Sequence, residues 1–86
     1  MASRLPNPPG RRTALTTAAV AAIADLLGVE AAAVSTSVPF SELGLGSLQL
    51  ARLTARLEDA MGVEVSLTAL YDNPDIEQLV EFLAMR

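Results

Sequence analysis

Apolar residues recur along this chain at helical intervals, and glycines fall where the intervals stop. Between Thr13 and Leu27, the positions Leu15, Ala19, Val20, Ile23, Leu26 and Leu27 follow one helix face, and Gly28 stands where that helix would end. Residues 28–46 have Ser, Thr, Pro and Gly at loop density, yet Val34, Val38, Phe40, Leu43 and Leu45 recur among them. A loop with so many large apolar groups must lie over a core and bury them. Ser47 to Met61 predicts a second long helix, with Leu50, Leu53, Leu57 and Met61 inward. Gln49, Arg52, Arg56 and Asp59 face away, and Gly62 ends it. Val63 to Leu67 alternates as a strand would, but no second strand is at hand to pair with it, so it reads as a connector. Leu67, Leu70 and Tyr71 suggest a short helix. Asp75 and Gln78 have capping-box spacing, and Ile76, Leu79, Val80 and Leu83 then form the cleanest helical stripe in the chain. The expected fold class is all-α: three main helices and one short helix around one core. Phe40, Leu43, Leu53, Leu57, Ile76, Leu79 and Leu83 are its expected centre.

Composition narrows what such a bundle can do. With 86 residues there is length for one core and not for two. A hydrophobic fraction of 51% excludes a disordered chain. Two Phe and one Tyr leave small aliphatic side chains, fifteen of them Ala, to fill the interior, which favours packed helices over a sandwich. Histidine and cysteine are both absent. That excludes a Ser-His-Asp triad, a Cys-His dyad, disulfides, and zinc or iron–sulfur sites of the usual ligand types. Nothing then requires an oxidising compartment, and a cytoplasmic location is expected.

Charge is unevenly placed. Residues 1–12 hold Arg4, Arg11 and Arg12 and no acid, whereas residues 13–86 hold three arginines against ten acids. Such a body repels phosphate backbones, so nucleic acid is not an expected partner. Arg11-Arg12 before an Ala/Thr/Leu/Val stretch resembles a twin-arginine export signal. The stretch is weakly hydrophobic, however, and Asp25 interrupts it. Residues 1–12, with Pro6, Pro8, Pro9 and Gly10, read instead as a flexible leader before a domain over residues 13–86. No apolar run approaches the ~20 residues of a membrane span, and a monomer is expected.

One segment exceeds a structural account. In Gly44-Leu45-Gly46-Ser47-Leu48, a serine follows a glycine-flanked turn and opens a helix. The helix N-terminus offers unpaired N–H groups and partial positive charge, so an anion on that serine would be stabilised. Ser47 could also be a plain helix cap. The spacing does not fit a nucleophile elbow, and with no histidine to activate it Ser47 is inert unaided. Asp72, Asp75 and Glu77 lack the spacing of a calcium loop and read as a cap and a solvated face. Glu58 and Asp59 read as exposed helix charges.

The wider pattern resembles a known family. Phe40-Ser41-Glu42-Leu43-Gly44-Leu45-Gly46-Ser47-Leu48, the helix from Gln49 to Met61, Gly62, and Leu70-Tyr71-Asp72-Asn73-Pro74 before Ile76 and Leu79 are one ordered set. They look like the F-x-E-L-G-x-D-S-L … L … G … L-[FY]-x-x-P-[TD]-[IV]-x-x-L pattern of phosphopantetheine-dependent acyl carrier proteins. Those proteins serve modular polyketide and nonribosomal peptide assembly. The resemblance spans residues 15–84. It implies an acyl-carrier-like helical bundle and a carrier, not an enzyme. It implies too that a separate phosphopantetheinyl transferase esterifies Ser47 with 4′-phosphopantetheine from coenzyme A. Acyl or aminoacyl groups then ride on the arm's thiol, which explains sulfur chemistry without cysteine. Acyltransferase, ligase or synthase enzymes that load and unload the arm are the other implied partners. Leu43-Gly44-Leu45 is more polyketide-like, since peptidyl carriers usually have a second Gly at the place of Leu45. The sequence departs from the family at Gly46, where Asp is usual; Gly as a cap costs only a few tenths of a kcal/mol. Partners must dock around Ser47, so Leu45, Gly46, Leu48, Gln49, Arg52, Arg56, Leu70 and Tyr71 are the expected contact residues. The readings that compete are a peptidyl carrier and an unmodified helical docking module.

Overall fold

A computed structural model describes residues 10–85 and places four α-helices and one 3₁₀ turn along them. Helix α1 is Arg11–Leu27, followed by the 3₁₀ turn Ala31–Ala33; α2 is Ser47–Met61, α3 Leu67–Asp72 and α4 Ile76–Ala84. No strand occurs among the described residues, and the alternating segment before α3 is a connector. The 3₁₀ turn lies inside what reads from sequence as continuous loop.

Helix α1 begins earlier than the composition of its leader implies. Gly10 precedes its first turn, and the Ala14 N–H donates to the Gly10 carbonyl at 3.1 Å. Arg11 and Arg12, expected in the leader, are helical, since arginine is a good helix former once the prolines are past. Residues 1–9 lie outside the described residues. Arg12 also finds a partner across the bundle: its Nε and Nη2 donate to the two Glu81 carboxylate oxygens of α4 at 2.6 and 2.8 Å. Those hydrogen bonds hold the Glu81 carboxyl below its ordinary pKa.

The core forms where α1 packs on α4 and α2, with α3 laid against α2. Leu15, Ala19 and Ile23 of α1 meet Leu53 and Leu57 of α2 and Leu79 and Leu83 of α4 in one buried cluster. Phe40 and Ile76 are buried with them, as the apolar pattern predicts. Leu43 is a correction: it is only half-buried, because Phe40 and Leu45 take the inward places of its turn.

Two tethers hold the long connection from α1 to α2. The Glu77 N–H donates to the Thr36 carbonyl at 3.0 Å, and the Thr36 hydroxyl returns a bond to the Glu77 carboxylate at 2.9 Å. The Phe40 N–H donates to the Pro74 carbonyl at 2.7 Å. Both tethers end where α3 gives way to α4, so the loop that leads into α2 is fixed to the start of α4. Gly62, at φ 67°, adopts the left-handed conformation that stops α2, which a side chain would resist. The Glu58 carboxylate then accepts the Val65 N–H at 3.0 Å and holds the connector to α3.

Candidate functional site

Ser47 is the first residue of α2, and its side chain is exposed. The approach to it is a tight turn on Pro39. The Glu42 and Leu43 N–H groups donate to the Pro39 carbonyl, and the Leu45 N–H donates to the Phe40 carbonyl at 3.2 Å. Gly44 closes this turn at φ 93°, a conformation side chains rarely adopt. Closure sends the Leu45 side chain into the core, where it is 3% exposed.

Gly46 is different. Its backbone is extended (φ −82°, ψ −178°), and an added Cβ would meet only the Gln49 side chain, at 4.0 Å. Any residue could stand there. As a glycine it has no side chain to accept the Gln49 N–H, so only one half of a capping box exists: the Gly46 N–H donates to Gln49 Oε1 at 3.1 Å. The first helical bond of α2 runs from the Leu50 N–H to the Gly46 carbonyl at 2.9 Å. The N–H groups of Ser47, Leu48 and Gln49 precede it and have no partner within the helix. With the positive end of the α2 dipole they form the terminus at which Ser47 stands, an environment that favours an anion esterified there. The residues present therefore fit a phosphodiester. They do not activate the hydroxyl, because the chain has neither histidine nor cysteine.

The residues expected to surround Ser47 are not all at the surface. Leu48 is 65% exposed, Arg52 lies one turn further on the same face, and Tyr71 of α3 is 56% exposed. Gly46 is exposed as well. Leu45 and Leu70, expected at the surface, are buried, Leu70 at 1% exposure. In a helix of six residues, Ala69 and Leu70 turn inward, so Tyr71 is the one of the pair left outside. Gln49 is half-buried, with its amide oxygen held by Gly46, so it is less an outward contact than its position on α2 implies. Arg56 is exposed but ion-paired with Asp25 of α1. Sequence reading misses Asp25, which lies 31 positions away and shows no local signal. Arg52 has no ion-pair partner among the described residues.

Other acids have structural work. Asp75 caps α4 by accepting the Gln78 N–H at 2.8 Å, and Glu77 serves the loop tether. Among the described residues no group of three or more acids is placed to hold a metal ion. A shallow groove between α1 and α2, lined by Ala18, Ala21, Ala22, Asp25, Arg56, Asp59 and Ala60, lies toward the far end of α2 from Ser47.

Comparison with known proteins bears on this site. A family model described as the phosphopantetheine attachment site matches residues 18–83. Over 64 residues the chain is 38% identical to a phenolphthiocerol/phthiocerol polyketide synthase of Mycobacterium tuberculosis; the match covers 74% of this chain and 3% of the synthase. It is 31% identical to the acyl carrier protein TtuC of Teredinibacter turnerae, over 74% of each chain. In three dimensions it is similar to a free-standing peptidyl carrier protein of Acinetobacter baumannii, with a TM-score of 0.78 and 26% identity. That superposition covers 86% of this chain and 92% of the other.

Proposed function

This chain belongs to the phosphopantetheine attachment-site family of carrier proteins, and we propose that Ser47 bears its arm. As a member of that family it is a carrier and a substrate of other enzymes, not a catalyst. The observation that supports Ser47 most is its place: an exposed serine at the first residue of α2, within the matched span, at the helix end whose first N–H groups have no helical partner. A separate phosphopantetheinyl transferase supplies the arm from coenzyme A. When bound, the arm supplies a thiol on which acyl groups are held as thioesters.

What this chain does itself is limited and specific. The α2 N-terminus stabilises the phosphodiester charge. The rigid loop keeps Ser47 at one edge of the bundle, and Gly46, Leu48, Arg52 and Tyr71 give the enzymes that load and unload the arm a surface to dock on. Polyketide assembly is the proposed setting, supported by the Mycobacterium tuberculosis relative and by Leu43-Gly44-Leu45. Similarity to the Acinetobacter baumannii peptidyl carrier supports a second reading, in which the cargo is aminoacyl. No helix among the described residues is long and apolar enough to cross a membrane. A cytoplasmic monomer is proposed.

Incubation of the purified chain with coenzyme A and a broad-specificity transferase tests the proposal. One added phosphopantetheinyl mass is expected. An unchanged mass, with a control carrier fully loaded in the same tube, would contradict it. Offering the phosphopantetheinylated chain malonyl-coenzyme A with an acyltransferase, and separately a free amino acid and ATP with an adenylating enzyme, distinguishes the two settings: malonyl loading with release of coenzyme A supports the first, aminoacyl loading with release of AMP the second.

A further inference from the structure

We propose that Gln49 is a positioning residue for the modification of Ser47, an inference that rests on the reading of Ser47 above. Gly46 stands immediately before the serine, and glycine has the widest backbone freedom of any residue. Two bonds restrain it. The Leu50 N–H holds its carbonyl at 2.9 Å, and Gln49 Oε1 holds its N–H at 3.1 Å. The first is part of the helix and forms whatever the side chains are. The second depends on Gln49 alone.

The ring closed by that bond runs from residue 46 to residue 49 and encloses Ser47 and Leu48. It therefore fixes the direction in which the Ser47 side chain leaves the first turn. A side chain at the cap would add a reciprocal bond from the Gln49 N–H; with glycine there, the bond from Gln49 is the one side-chain restraint on the turn. The half-buried state of Gln49 agrees: its amide is folded back onto the turn, not extended to solvent. Productive transfer needs the hydroxyl held close to its attack geometry, so loss of the bond should lower turnover more than binding.

The test uses the whole apo chain, coenzyme A and a broad-specificity phosphopantetheinyl transferase, with initial rates read by intact mass. Wild type, Gln49→Leu and Gln49→Glu are compared at a temperature where melting curves show each fully folded. Leu keeps the bulk and the helix propensity but offers no acceptor, while Glu keeps the acceptor. Gln49→Leu should lose about fivefold in kcat, the scale of one hydrogen bond, with KM for the chain within about twofold of wild type. Gln49→Glu should restore the wild-type kcat. Hydrogen exchange at the Gly46 amide should be slow in wild type and Gln49→Glu and fast in Gln49→Leu. Wild-type kcat in Gln49→Leu would overturn the role, even with the arm mapped to Ser47. So would a rise in KM shared by both variants, which would mark Gln49 as a docking contact. An arm mapped to another serine in wild type would overturn the Ser47 reading, and this one with it.

Discussion

At Ser47 the fold exposes a hydroxyl that it gives no means to react, so every chemical event there depends on what approaches from outside. The residue before it is open to test. Gly46 has an extended backbone and free space at its Cβ, so Gly46→Asp should fit without strain. Its carboxylate would accept the Gln49 N–H and stabilise the fold by a few tenths of a kcal/mol. A thermal midpoint that rises slightly checks this, and a falling midpoint would show that the backbone at Gly46 is not extended. The start of α2 at Ser47 is legible from sequence because glycine, serine and the start of an apolar stripe mark a loop-to-helix junction locally. Gln49 was not legible as a turn-holding residue, because the capping signature is read from a side chain on the cap, and glycine has none. Leu45 was misplaced for a related reason. Period fixes which face a helical residue takes, but nothing in a turn's sequence says which way a side chain leaves it.

At the scale of elements, α2 presents two arginines in different states. Arg52 has no ion-pair partner among the described residues, whereas Arg56 is bound to Asp25 of α1. Arg52→Glu should leave the thermal midpoint unchanged and slow transfer from enzymes with acidic docking surfaces, an effect that shrinks as salt rises. Arg56→Glu should lower the midpoint slightly, for a stability loss of at most about 1 kcal/mol at an exposed pair, because it sets two carboxylates against each other between α1 and α2. Melting curves and transfer rates at two salt concentrations separate the arginines; equal behaviour would contradict the pairing. The Arg12–Glu81 bridge between α1 and α4 predicts a pH dependence. Glu81 has a lowered pKa when folded, so its contribution is present at neutral pH and is lost as pH falls through that lowered value. Melts from neutral to acid pH should converge for wild type and Glu81→Gln, and a constant difference would contradict the assignment. Helical stripes were legible throughout; these bridges were not, since they depend on how two helices lie side by side. Helix α3, at six residues, is too short for period to set its buried face, and Leu70 was misread accordingly.

At the scale of the molecule, one apolar cluster joins all four helices and the loop before Ser47. Leu53 and Leu79 are buried at its centre. Truncating either to Ala should cost about 2–5 kcal/mol by denaturant titration, and the half-buried Leu43 should cost less. A Leu43→Ala loss as large as that of Leu53→Ala would contradict the burial. The architecture was readable because its core is built from periodic leucines, and the α2 limits follow from Ser47 and the left-handed glycine at residue 62. The loop tethers were hidden, since Thr36 to Glu77 and Phe40 to Pro74 are pairings between distant backbones. The tethered loop, the helix terminus and the exposed face of α2 meet at Ser47, the place proposed for the arm. Mass mapping of the chain after loading from coenzyme A, on wild type and Ser47→Ala, tests this most directly. Phosphopantetheine on the peptide bearing Ser47 and a folded, unloaded Ser47→Ala are the expected results; an arm on Ser37, Ser41 or Ser66, or a loaded Ser47→Ala, would contradict the attachment at Ser47.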